Sequence, residues 1–358
     1  MTWKQTRLLM ALVLDLGSIA QAGTAWYVDG VNGNDNDNCN GPQTACKTIG
    51  HAISLASSGD TIKVAAATYV ESLTIGLNLK VIGSGAKTTI IDGSGIATVV
   101  NISSTSASVV LSRLTIRNGF ANSSGAGILN RGILTINACT ISNNKARGEP
   151  YGGFGAGVTN AGTLTVNNST FSDNSIGGAF GAGFGAGLFN YSTATINNST
   201  FSGNRASGWG GGIGNEGVLT VNNSTISSNT ERYGGVGNYT GTVILQNSIV
   251  ANNSGGNCYA RAPVASNGYN LSSDKTCNFT NTGDVNNTDP KLGGLQYNSG
   301  PTQTMALPPG SPAIDAGNPN GCTDSKGHLL KTDQRGMPRP DKEDTGGCDM
   351  GAYESQSD

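Results

Sequence analysis

Three arginines, Arg147, Arg205 and Arg232, stand at related places in a chain of 358 residues of which only 12% are charged. A basic side chain held over an acidic sugar can take the proton beside its carboxylate, so these three are the base candidates if the protein is a lyase. Lyase chemistry of that kind is commonly assisted by carboxylates that hold Ca²⁺. Inverting hydrolysis instead needs two carboxyl groups about 6.5–9.5 Å apart. Neither set is offered here. Between Asn118 and Asn257 the acidic residues are Glu149, Asp173, Glu216 and Glu231, and no two occupy equivalent places in the repeat set out below. Arginines on solvated loops account for the same pattern, so no catalytic residue is assigned outside the lyase reading.

Aromatic residues form a second set. Tyr151, Phe154, Phe180, Phe184 and Trp209 fall in successive insertions and are expected on one side of the molecule. Exposed rings stack on sugar faces and on protein partners, although the same rings could simply cover a flank of the core. Asp35 and Asp37, in Asn32-Gly-Asn-Asp35-Asn-Asp37, are hard oxygen donors. They make Ca²⁺ the one cofactor the sequence admits, with a disulfide-pinned turn as the alternative. His51 and His328 lie in opposite terminal regions and form no metal pair.

Internal repetition says what must position these groups. Gly127-Ile-Leu-Asn130, Gly157-Val-Thr-Asn160, Gly187-Leu-Phe-Asn190, Gly212-Ile-Gly-Asn215 and Gly235-Val-Gly-Asn238 are each followed by a short alternating triplet such as Leu134-Thr-Ile136. A second Asn recurs in step at 144, 174, 204, 229 and 253, and a third position reads Cys139, Ser169, Ser199, Ser224 and Ser248. Alternation over so few residues means short strands with one face inward. One such unit cannot bury its apolar face alone, so units must stack. Gly and Asn suit corners of positive φ, and stacked Asn130, Asn160, Asn190, Asn215 and Asn238 can satisfy one another's amides along the axis. The expected fold is all-β: a single-stranded right-handed parallel β-helix. Its coils occupy 61–260, an N-terminal cap 23–60, and C-terminal coils and an irregular cap 261–358. Cys139 reads as a small buried thiol among serines rather than a nucleophile.

Composition agrees. Glycine makes up 54 of the 358 residues, about twice the usual share of roughly 7%, as a fold made of corners requires. The net charge of −2 implies neither a nucleic-acid partner nor an anionic membrane surface. Lys4 and Arg7 precede the apolar run Leu8 to Leu16, and Ala20-Gln21-Ala22 follows. This reads as a secretory signal over 1–22, and no later stretch is apolar enough to span a bilayer. Export suits seven cysteines. Their spacing pairs Cys39 with Cys46, Cys258 with Cys277 and Cys322 with Cys348, leaving Cys139 free.

Two regions resemble known proteins. Cys46-Lys-Thr-Ile49, Gly59-Asp-Thr-Ile62 and Thr68-Tyr-Val-Glu71 are similar to the cap and first coil of pectate-lyase-like β-helices. Asp289-Pro-Lys-Leu292, Gly310-Ser-Pro-Ala-Ile-Asp-Ala-Gly317, Thr332-Asp-Gln-Arg-Gly336 and Cys348-Asp-Met-Gly-Ala-Tyr-Glu354 resemble the choice-of-anchor Q domain proteins. The central repeats are similar to those of polymorphic outer-membrane proteins. These resemblances imply an exported protein, secreted or held at a bacterial cell surface.

The expected function is non-enzymatic: an adhesin, a carbohydrate binder or a structural element. Its partner would be an extracellular polysaccharide, a host or neighbouring surface protein, or further copies of the chain. A polysaccharide lyase or glycoside hydrolase acting on an acidic polysaccharide is the competing expectation.

Overall fold

The computed structural model describes residues 23–148, 152–178, 182–341 and 347–356. The signal segment, Glu149, Tyr151 and Phe180 lie outside the described residues. Each strand of the repeat pairs in parallel with its counterpart one coil away. Leu134 faces Leu164, which faces Ala194, and the column continues through Leu219 to Val243. The chain thus winds into a right-handed parallel β-helix with three long sheets of ten, nine and eight strands. In one coil, Ile128–Asn130 belongs to the eight-stranded sheet, Ile133–Asn137 to the ten-stranded sheet and Thr140–Ser142 to the nine-stranded sheet.

Inward columns of Ile, Leu, Val and Phe fill the bore. Phe171 and Phe201 stack at 4.3 Å between ring centres with 11° between their planes. Each such side chain contributes about 1.5–3 kcal/mol on burial, but only because the next coil covers it.

The corners follow a rule finer than the one read from sequence. Ladder asparagines do not carry the positive φ; the residue in front of the serine column and of the second Asn column does. Asn168, Asn198, Asn223 and Asn247 precede the serine column, and Asn143, Asp173, Ser228 and Asn252 precede the second Asn column, all with φ between 45° and 60°. The ladder residues stay free to point inward and bond along the axis. Asn130 donates to Asn160, Asn160 to Asn190, Asn190 to Asn215 and Asn215 to Asn238, at 2.7–3.0 Å. A second ladder runs from Asn144 through Asn174, Asn204 and Asn229 to Asn253, each step at 2.9 Å. Cys139 begins the serine column, its backbone N–H donating to Ser169 Oγ at 3.1 Å. Burial pushes its thiol up to about 12.

At the N-terminal end the short helix Ile49–Leu55 lies over the first coil, burying Ile49 and Ala52. Glu71 accepts from the backbone N–H groups of Ile49 and Gly50, at 2.9 and 2.8 Å. Among the described residues no helix is long and apolar enough to cross a membrane.

The C-terminal region does more than cover the last coils. Leu307, Ala313 and Met350 do pack on Ile249 and Leu271 of the last coils. The same segment also runs back along the outer face of the nine-stranded sheet. Thr170 donates to Gln303 O and Thr200 to Gln334 Oε1, both at 2.6 Å, and Ala352 N donates to Thr225 Oγ1 at 3.1 Å. Asn198 and Asn223 turn their amides to Thr332 O and Thr323 O. This strap buries both faces of those strands, which explains why threonines and serines there are as enclosed as the core.

Candidate functional site

The insertions after the second Asn ladder build the flank that the strap leaves open. Each begins with a register residue, Lys145, Ser175 or Arg205, in a four-stranded parallel sheet that starts at Phe120–Ala121. Near its end each brings a ring to a second column. Gly153–Phe154 pairs with Gly183–Phe184, Gly185 N donates to Trp209 O at 3.1 Å, and Trp209 bridges to Tyr233.

Three of the expected aromatics therefore meet. Phe154 and Phe184 lie 5.5 Å apart between ring centres, and Phe184 and Trp209 lie 4.8 Å apart. Tyr151 and Phe180 fall outside the described residues. The structure adds rings that the sequence reading missed. Phe189 packs on Phe154 at 4.7 Å, Tyr191 on Phe189 at 4.6 Å, and Tyr239 stacks on Trp209 at 5.5 Å with 5° between the planes. Their signal was present: Phe189 sits one residue before a ladder Asn, and Tyr191 and Tyr239 one residue after. Those outward positions form two columns, one on either side of the ladder.

Glycines admit this packing. A Cβ on Gly237 would come within 2.4 Å of Trp209 Cε3, and one on Gly214 within 2.8 Å of Phe189 Cδ2. The result is a cleft of about 380 Å³ lined by Phe154, Phe184, Trp209, Tyr233, Tyr239 and Tyr259, with Glu216 and Arg261 at its edge. Trp209 is 7% exposed and Tyr233 40%, so the floor is fixed and the rim is open. The Arg261 guanidinium lies 4.3 Å from the Tyr239 ring centre. Burial raises Glu216, and the Tyr191 phenol is pushed up by its own burial and by the charge of Glu216.

The arginines separate. Arg205 and Arg232 line one groove of about 670 Å³ together with Lys145, which the sequence reading passed over. Arg147 lies over the Phe120 ring, at 5.4 Å from its centre, and does not line that groove. Glu231 sits against its wall with both carboxyl oxygens enclosed and without hydrogen-bond partners. Burial lifts its acid to about 9. Space for the carboxyl comes from Gly211, where any Cβ would fall 1.9 Å from Glu231 Oε2. Asp173, by contrast, occupies a corner at φ 56°, which accounts for its isolation in the repeat.

Of the two N-terminal acids, Asp35 is bonded within the chain. Asp35 accepts from Lys47 N, Thr48 N and Thr48 Oγ1 at 2.8–3.0 Å, and these bonds hold its carboxyl below the ordinary range against a desolvation that raises it. Among the described residues, the cluster of metal-ligand types is Cys39, Cys46 and His51, and both of those cysteines are joined in a disulfide. The other disulfides are Cys258–Cys277 and Cys322–Cys348, with Cys139 free and buried.

Residues of the C-terminal motifs are bonded to one another and to Arg339. Arg339 Nε donates to Glu354 Oε2 at 2.6 Å with both side chains enclosed. Asp333 accepts from Arg335 Nε at 2.7 Å and from Glu354 N at 3.0 Å.

No family model and no curated protein matches the chain. The solved structures similar to it include a pectate lyase and two pectin methylesterases. Pectate lyase Pel9A has 13% identity over 92% of this chain and 96% of its own, at a TM-score of 0.49. A pectin methylesterase from Aspergillus niger has 18% identity over 72% and 90%, at 0.36. The pectin methylesterase PemA from Erwinia chrysanthemi has 16% identity over 69% and 70%, at 0.32. At this level the likeness is one of winding and brings no residue role to this chain.

Proposed function

We propose that this protein is an exported carbohydrate-binding β-helix whose aromatic cleft receives sugar rings. One observation carries the reading: rings from successive coils stack into a continuous wall, rigid at Trp209 and open at Tyr233, with polar groups at the edge. A cleft of rings beside a few polar groups is the usual construction of a sugar site. Three disulfides suit an oxidising compartment outside the cytoplasm. The C-terminal motifs that resemble choice-of-anchor Q proteins support a place at the cell surface, as an adhesin or a structural component.

Lyase action on an acidic polysaccharide is the second reading, favoured by the groove that Arg205 shares with Lys145 and Glu231. One experiment separates the two. The protein is incubated with neutral and acidic polysaccharides, and retention and chain shortening are recorded together. Retention without shortening is expected, weakened roughly two- to tenfold by Tyr239→Ala, since a ring contact is worth about 0.5–1.5 kcal/mol. Shortening of any polymer overturns the binding reading in favour of the enzyme.

A further inference from the structure

We propose that the groove over Lys145, Ser175, Arg205 and Thr230 binds a linear anionic glycan carrying one acidic group per disaccharide. The inference rests on the carbohydrate-binding reading but uses a different face of the insertions from the aromatic cleft. Parallel pairing sets Lys145 beside Ser175 and Ser175 beside Arg205, and Arg205 bridges to Thr230. The column therefore alternates cation, hydroxyl, cation, hydroxyl along the axis. Neighbouring strands lie about 4.8 Å apart, which puts the backbones of Lys145 and Arg205 about 10 Å apart. That is the length of a disaccharide, not of one sugar.

Both cations are available. Lys145 and Arg205 are exposed, and neither takes part in an ion pair among the described residues. Arg232 lines the same groove. The remaining titratable group there, Glu231, is enclosed and without a partner, and burial keeps it protonated at neutral pH. It therefore carries no charge to cancel the cations, and the groove faces solvent with net positive character. Hydroxyls on the intervening coils are matched to the uncharged sugar of each pair.

The test is affinity electrophoresis of the full chain in gels holding one polymer each. Hyaluronan has a carboxylate on every second sugar, keratan sulfate carries sulfate instead, polygalacturonate has a carboxylate on every sugar, and dextran is neutral. Retardation by hyaluronan, keratan sulfate or both is expected to exceed that by polygalacturonate, and which of them retards identifies the acidic group. Lys145→Gln and Arg205→Gln are each expected to weaken it about tenfold, the effect of losing one charge-assisted hydrogen bond. Ser175→Lys, which puts a cation on the skipped coil, is expected to shift the preference toward polygalacturonate. Equal retardation by all the acidic polymers, or indifference to Arg205→Gln, overturns the proposal. Dextran separates the two sites. Binding of dextran without any acidic polymer sinks the groove alone, whereas binding of hyaluronan that ignores Tyr239→Ala, with no dextran binding, sinks the cleft alone.

Discussion

Asn190 donates its amide to Asn215 Oδ1, Ser192 O and Val218 O, and accepts from Asn160. Leucine would fill the same space but leave Asn215 Oδ1 without a donor, at about 1–3 kcal/mol, and cost the Asn160 amide one of its three acceptors, at about 0.5–1.5 kcal/mol. Asn190→Leu is therefore expected to lower the unfolding free energy by about 2–5 kcal/mol. An unchanged urea midpoint would show that the ladder is decorative. Glu231 tests the opposite kind of burial. Burial pushes its acid up to about 9 in the folded chain, far above the roughly 4.3 of an exposed Glu. Between those values the folded state holds a proton that the unfolded chain releases, so stability falls as pH rises through this window. Glu231→Gln removes that slope. The variant's melting temperature should gain on the wild type steadily from pH 5 to pH 9, and parallel curves would mean that Glu231 is ionised in the fold. Both side chains were visible in sequence, but only the ladder had a periodic signal. Glu231 belongs to no column of acids, and its enclosure depends on Gly211 in the preceding coil.

The elements that matter most are those joining distant parts of the chain. Cys322–Cys348 closes a loop of 26 residues, and Asn247 of a core coil donates to both sulfurs. Cys322→Ser should cost about 2–4 kcal/mol, read as a lower melting temperature under oxidising conditions. Identical melting of variant and wild type would mean that the strap holds without its pin. Strand triplets, corners and disulfide spacing were legible because each repeats or pairs within the sequence itself. The strap was not, since Gln334 meets Thr170 and Thr200 across more than a hundred residues with no pattern linking them.

At the scale of the whole molecule, a solenoid has two open ends, and an uncovered end invites edge-to-edge pairing. Truncation before Asp289 uncovers Ile249 and Leu271 together with the outer face of the nine-stranded sheet. Sedimentation of such a truncated chain should show self-association absent from the full chain. A stable monomer would instead assign the cap's role to the last coil alone. The sequence by itself determined the winding of this protein, its ladders and its free buried thiol, because stacking copies each local rule from coil to coil. Only the tertiary structure decided which outward columns meet. A side chain's neighbours across coils depend on how far each insertion carries the chain before it returns. That is how Trp209 comes to rest over Gly237 and Lys145 comes to share a groove with Arg205.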